Sequence, residues 1–196
     1  MNEKTVLGAI FARRSIRHFA ENKPVEKEKI NILLEAAMAA PSACNLQPWE
    51  FIVVSEKENL DKLYTAMQPG SPSAPLAMII CANVSGIPWG GEGWRIDCSA
   101  AVENMMLAAV SMELGSLWIG SHNEETVRKL FNIPENIRLM SIVYFGYPDE
   151  VKEAGTRYTE DAVYWEKYDP SRKRTMRTTE MLRDLSVKPP VWWKGK

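Results

Sequence analysis

The stretch from Arg95 to Leu114 constrains the fold more than any other part of this chain. After Ala100 it carries apolar side chains on nearly every side, and a helix of that kind has no face to give to water. In a chain of 196 residues it belongs at the centre of the molecule or at a subunit interface. Gly115 stands where such a helix ends, because glycine accepts the left-handed backbone of a C-terminal cap. Glu103 and Asn104 interrupt the apolar run, which is too short to span a bilayer.

The rest of the chain alternates between helical and extended spacing. Val6, Ile10 and Phe11 predict a helix over 3–12, and Ile30, Leu33, Leu34, Ala37 and Met38 share one face of a helix over 26–39. Pro41 stops that helix, since proline lacks the N–H and disfavours helical geometry just before it. Residues 51–54 read as a strand, and 56–67 as a helix with Leu60, Leu63 and Tyr64 inward. A Pro/Ser/Gly loop over 69–75 leads into Leu76–Ala82, a strand apolar on both faces. Residues 87–94, with Gly90, Gly91 and Gly93, read as a mobile loop. Short strands are expected at 117–119 and 139–145, and a helix over 124–132 begun by Asn123 and the pair Glu124-Glu125. Four strands interleaved with helices make an α/β or α+β sandwich around one mixed sheet. The expected division is a domain over 1–170 and an arm over 171–196. The arm is basic (Arg172, Lys173, Arg174, Arg177) and carries Trp192 and Trp193, which need a surface to pack on.

Composition removes several classes of function. Net charge is −1 with Lys and Arg scattered, so before the arm no basic stripe suits nucleic acid. The N-terminus lacks the apolar stretch of a secretory leader. Cys44, Cys81 and Cys98 are odd in number without CxxC spacing, which fits reduced thiols in a cytoplasm. Two histidines, His18 and His122, give zinc sites and Ser-His-Asp triads little material, and no metal is expected.

The candidate chemistry lies in five segments. Arg13, Arg14, Ser15 and Arg17 offer bidentate donors and a hydroxyl for a phosphate, each charge-assisted bond contributing roughly 1.5–3 kcal/mol. A solvated basic turn explains that cluster alone equally well. Pro41-Ser42-Ala43-Cys44-Asn45-Leu46-Gln47-Pro48-Trp49 is uncharged but dense in amide and hydroxyl groups, which read polar ring edges and sugar hydroxyls. A polar connecting loop, with Trp49 as core, is the plain alternative. Gln68 precedes the 69–75 loop. Trp118-Ile119-Gly120 is a strand end that works through backbone if it works at all, and Arg157 follows the last strand. Cys44 has no cationic or histidine partner close in sequence, which argues against a nucleophile. Gly90-Gly91-Glu92-Gly93 neither follows a strand nor opens a P-loop.

Taken in order, these segments resemble the nitroreductase family over about residues 5–165. The opening is similar to its Arg-x-Ser-x-Arg/Lys, and residues 41–49 to its Pro-Ser-x-x-Asn-x-Gln-Pro-Trp. Gln68 with Ala74-Pro75 resembles its Gln…Ala-Pro segment, and Leu114–Gly120 its Leu-Gly-Ser-x-Trp-Ile-Gly. The resemblance implies an α+β three-layer sandwich, its mixed, mainly antiparallel sheet of 4–5 strands flanked by helices, in an obligate homodimer. It implies FMN as cofactor and NAD(P)H as co-substrate. Arg13, Ser15 and Arg157 would hold the phosphate, Arg17 would reach the ring edge, where negative charge settles on reduction, and Arg14 would serve either purpose. Pro41, Ser42, Ala43, Asn45 and Gln47 would frame the ring from the other subunit. Gln68, Trp118 and Ile119 would line it, and the Gly120 N–H would donate to N5. Some relatives carry a Lys two residues before the late Arg, where this chain has Gly155.

The implied reaction is ping-pong hydride transfer from NAD(P)H through N5 to a nitroaromatic, quinone or enone-type acceptor, with no obligatory protein acid or base. The same fold with FMN also supports reductive dehalogenation, azoline oxidation or flavin fragmentation. A flavin-holding or interaction module using the Trp-tipped arm is the alternative of another class. Neither nucleic acid nor membrane is an expected partner, and the glycine loop would form a rim over the flavin face.

Overall fold

A computed structural model of the chain describes residues 5–68, 71–87, 91–152 and 163–172. Its centre is a four-stranded sheet of β1 (Trp49–Val54), β2 (Leu76–Asn83), β3 (Gly115–Ile119) and β4 (Ile137–Gly146), in the order β1-β2-β4-β3. Successive side chains on a strand point to opposite faces, and β2 uses both. Leu76, Met78, Ile80 and Ala82 join one apolar cluster, while Ala77, Ile79 and Cys81 join the other. β4 feeds both clusters as well, Val143 and Phe145 one and Ile142 and Tyr144 the other, and a register shift opposite Ile80 and Cys81 puts Leu139 on the side of the second. The first cluster is closed by α2 (Lys27–Met38) and α4 (Gly93–Ser111). The second is closed by α3 (Lys57–Thr65) and α5 (Glu124–Phe131). Helices on both faces of one sheet give the three-layer α+β architecture expected.

Several sequence expectations change in detail. The sheet expected to be mixed is antiparallel in all three ladders, and a parallel pairing appears in the single bridge of Ser15 on Ser116. Gly115 does not cap α4, which ends three residues before Leu114 with Met112 as its cap. Glu113 takes the left-handed conformation instead, at φ 66°. Gly115 opens β3 because a Cβ there would lie 2.8 Å from Ile16 Cγ1. Gly93 begins α4 rather than closing a loop. On α3, Leu63 is fully buried, but Tyr64, expected inward, is exposed.

Helix α1 (Val6–Ala12) turns its apolar residues outward: Val6 is 75% exposed, Leu7 59% and Phe11 58%. On α4, Ala101, Val102, Met105, Met106 and Ala109 are buried, whereas Ala100, Leu107 and Ala108 are half-buried and Ile96 is 75% exposed. The helix expected to be buried on all sides thus leaves one apolar stripe open. Among the described residues no helix is long and apolar enough to cross a membrane.

The chain divides into two compact units, the first ending at Lys152. In the second, Tyr164 stacks on Tyr168 with centroids 4.5 Å apart, and Arg172 lies over the Tyr164 ring. The arm from residue 173 onward, with its tryptophan pair, lies outside the described residues.

Candidate functional site

The arginine cluster is placed by the segment that leaves α1 and crosses the ends of β3 and β4. Ile16 donates its N–H to Ser116 O at 3.0 Å, Ala20 to Tyr147 O at 2.8 Å, and Asp149 to His18 O at 2.9 Å. Ile16 and Phe19 are buried and anchor the segment on the core. Arg17 and His18 are exposed, while Arg13, Arg14 and Ser15 are half-buried. Arg13 pairs with Glu103 at 3.5 Å. Arg14 folds back over the end of α1, its Nη1 donating to Phe11 O at 2.8 Å and Arg13 O at 2.7 Å. A cation on the last carbonyls complements the helix dipole.

Two residues that sequence reasoning missed hold this segment. Lys152 Nζ donates to Ser15 O at 3.0 Å and pairs with Glu150 at 3.2 Å. The Glu150 carboxylate also accepts from the backbone N–H groups of Arg17 and His18. Burial acts to raise the Glu150 pKa, but the Arg17 N–H, the Lys152 ammonium and the His18 N–H together hold it below its ordinary value. Lys152 and Ser15 are 137 residues apart, and no local spacing signals the contact.

The Pro41–Trp49 motif forms an exposed loop anchored at its end by buried Pro48 and Trp49. A short 3-10 turn, Ala43–Asn45, leads into three left-handed residues: Cys44 (φ 50°), Asn45 (φ 55°) and Gln47 (φ 49°). Such backbone costs a non-glycine residue roughly 1–2 kcal/mol, less for asparagine. Local bonds offset part of it, Gln47 N–H donating to Ser42 Oγ at 3.0 Å and Gln47 Nε2 to Asn45 Oδ1 at 2.9 Å. Asp97, a buried carboxylate on α4 that sequence reasoning also missed, accepts from Ala43 N–H at 3.0 Å. Its one signal was a charge in a largely apolar helix.

Gln68 follows α3, where Met67 bridges His122 and Asn123 N–H donates to Ala66 O at 2.8 Å. Trp118 and Ile119 are half-buried at the end of β3. Gly120 just beyond is exposed, and a Cβ added there would meet nothing within 4 Å. Burial lowers the His122 pKa against the opposing effect of Glu124. Cys44 is exposed, and burial pushes Cys81 and Cys98 up to about 12. Arg157 and Gly155 lie outside the described residues. Among those described, no three His, Cys, Asp or Glu side chains cluster as metal ligands.

Five buried side-chain N and O atoms lack a hydrogen-bond partner among the described residues: Arg14 Nε, Gln68 Nε2, His122 Nδ1, Ser116 Oγ and Ser141 Oγ. Buried polar atoms of folded proteins are nearly all paired, and each exception asks for a reason. Three of them lie in the motif segments, Arg14 in the arginine cluster, Gln68, and Ser116 in Leu114–Gly120, and His122 lies two positions past Gly120. Guanidinium, carboxamide and hydroxyl donors with an uncharged amide loop form a donor set that fits a phosphorylated, polar-edged planar ring such as FMN.

The sequence pattern of the nitroreductase family matches residues 10–77 and 93–147. A protein of Archaeoglobus fulgidus with the provisional name NADH dehydrogenase/NAD(P)H nitroreductase is 41% identical, over 83% of this chain and 98% of its own. The iodotyrosine deiodinase of Thermotoga neapolitana is 30% identical over 71% of this chain and 87% of its own. The solved FMN-dependent nitroreductase of Clostridium difficile R20291 superposes with a TM-score of 0.72 at 31% identity, covering 83% of this chain and 99% of that one.

Proposed function

The chain belongs to the nitroreductase family, and on that premise we propose that it is an FMN-dependent oxidoreductase, passing hydride from NAD(P)H to a nitroaromatic, quinone or enone-type acceptor in ping-pong order. The observation that carries this reading is the pair of buried donors without an acceptor among the described residues, Arg14 Nε inside the arginine cluster and Gln68 Nε2 at the glutamine of the Gln…Ala-Pro segment. When bound, FMN supplies a two-electron carrier whose N5 accepts and releases hydride.

The protein's own part is binding, orientation and electrostatics. Arg13, Arg14 and Ser15 hold the phosphate, joined by Arg157 through the family resemblance. Arg17 presents a cation where negative charge develops. Exposed Asn45 and Gln47, with Ser42, offer amides and a hydroxyl to the polar ring edge without adding charge. Gly120 N–H would offer a backbone donor to the ring of a bound flavin, and the missing side chain would permit close approach. No group in this set needs to change protonation state, which agrees with a site so poor in histidine.

The site is completed by a second copy of the chain. The outward apolar face of α1 and the open stripe of α4 flank a groove of about 380 Å³ lined by Val6, Ala9, Ala39, Leu107 and Ala108. Contiguous apolar surface of this kind marks an interface, and a two-fold dimer buries the same patch on both partners.

The test uses protein stripped of flavin and titrated with FMN, with Arg13→Ala and Arg95→Ala in parallel. Arg95 pairs with Glu92 and lies over the Trp94 ring. Arg13→Ala should weaken FMN at least about tenfold, the loss of one charge-assisted interaction, and Arg95→Ala should not. Equal effects overturn the placement of the phosphate, and no FMN binding by the unaltered protein overturns the function. Reductive dehalogenation is a second reading, favoured by the likeness to the deiodinase. Residues 87–94 carry no Glu-Tyr-Lys set to clamp an amino-acid zwitterion, so turnover of halotyrosine under reducing conditions is the outcome that would promote it.

A further inference from the structure

Among the described residues, the strained Pro41–Trp49 loop makes one long-range hydrogen bond between Ser42 and Gln47. Ser42 occupies the N-cap of the 3-10 turn, where a serine side chain ordinarily accepts the first free N–H groups. Here it makes no cap bond, because its Oγ is engaged by Gln47 N–H at 3.0 Å. The vacant capping duty falls to Asp97, whose Oδ1 accepts from Ala43 N–H at 3.0 Å across 54 residues of sequence. Asp97 is 7% exposed, on the same helix whose neighbouring residues Cys98, Ala101 and Val102 are fully buried. Its backbone position is therefore fixed by the core and not by the loop it holds.

The adjoining bonds have different consequences. Asn45 N–H to Ser42 O, Leu46 N–H to Ala43 O and Gln47 Nε2 to Asn45 Oδ1 close within the loop and travel with it. At its exit, Asn83 N–H donates to Pro48 O at 2.8 Å and fixes the start of β1. Between those limits, Cys44, Asn45 and Gln47 all stand at positive φ without glycine. Backbone in this state persists only where its surroundings over-determine it.

We propose that Asp97 is a positioning residue: its buried carboxylate caps the Ala43 turn in trans and so holds Asn45 and Gln47 in the left-handed conformations that present their amides to the flavin. The proposal rests on the FMN reading of this site. Asp97 touches neither cofactor nor substrate. It acts through the loop, so its removal leaves the fold in place and loosens the presentation of the amides.

The experiment compares Asp97→Ala, Asp97→Asn and Asp97→Glu in the full-length protein stripped of flavin, each titrated with FMN and each melted without it. Asparagine retains an acceptor oxygen in place, alanine removes it, and glutamate moves it outward by one methylene. The expected result is FMN affinity within about threefold of the parent for Asp97→Asn, and weaker by about tenfold or more for Asp97→Ala and Asp97→Glu, as loss of the capping hydrogen bond implies. FMN weakened as much by asparagine as by alanine overturns it, since rescue by a retained acceptor is the signature of the cap. So does Asp97→Ala binding FMN as the parent does. If Asp97→Ala fails to fold, Asp97→Glu with parental affinity refutes the proposal alone. A parent chain that takes up no FMN defeats the FMN reading of the site, a result distinct from all of these.

Discussion

Two glycine-to-alanine substitutions at opposite ends of β3 should separate packing from cofactor approach. At Gly115 an added Cβ would stand 2.8 Å from Ile16 Cγ1, 3.0 Å from its Cβ and 3.1 Å from its Cγ2. Ile16 cannot retreat: it is 7% exposed and its N–H is bonded to Ser116 O at 3.0 Å. Overpacking of that kind costs about 1–3 kcal/mol. The stiffer unfolded chain returns roughly 0.4–1 kcal/mol, leaving a net loss of about 1–2 kcal/mol. At roughly 2–4 °C per kcal/mol for a chain of this size, Gly115→Ala should lower Tm by several degrees. At Gly120 nothing lies within 4 Å of the new Cβ, and its φ is not left-handed. Gly120→Ala should therefore leave the Tm of the flavin-free protein unchanged or slightly raised. If the flavin packs against Gly120, however, the methyl occupies the contact and displaces the ring, weakening FMN about ten- to hundredfold (~1–3 kcal/mol). Circular dichroism melts and quenching of FMN fluorescence read the two effects separately. Parental FMN affinity in Gly120→Ala would refute the close approach, and an unchanged Tm in Gly115→Ala would refute the packing account of β3.

Three further outcomes are expected. Phe11→Glu, at a 58% exposed position, should barely change the stability of the single chain but convert a dimer to monomer in sedimentation velocity and reduce FMN retention; a dimer that persists would place the interface elsewhere. Folding lowers the Glu150 pKa, so its stabilisation is complete above the ordinary glutamate value of about 4.3 and is lost as pH falls through the lower folded value. Glu150→Gln should flatten that part of an acid-unfolding profile, and a profile identical to the parent's would show that the carboxylate is not engaged. Cys44 is exposed, while Cys81 and Cys98 are buried with thiols pushed up to about 12. Ellman's reagent should thus modify Cys44 first in the native protein, and bound FMN should slow it; equal rates with and without FMN would detach the loop from the flavin.

The architecture was legible in the sequence wherever local spacing carried the signal. The apolar run of β2, Asn123 capping α5 through Thr126 N–H, and the proline that stops α2 are all properties of neighbouring residues. Gly115 misled because a glycine after a helix reads as a cap, whereas here it is demanded by Ile16 from a distant segment. The apolar face of α1 was visible, but which way it points depends on packing against distant residues and not on its own spacing. The candidate site divides in the same way. Its cations and amides announce themselves by type and spacing, whereas Lys152, Glu150 and Asp97 matter through contacts spanning 137, 133 and 54 residues. Nothing in a linear reading distinguishes Lys152 and Glu150 from other charges, and Asp97 stands out by no more than its place in a largely apolar helix. The left-handed backbone at Cys44 and Gln47 was equally hidden, since neither residue favours it.

The most direct test of the central claim is an anaerobic titration of the FMN-loaded protein with NADH and, separately, with NADPH, followed in the visible flavin band. Stoichiometric bleaching by at least one of the two nucleotides is expected, with recovery of the colour when a quinone or nitroaromatic is added in their place. A flavin band that neither nucleotide bleaches, in protein that demonstrably holds FMN, would contradict it.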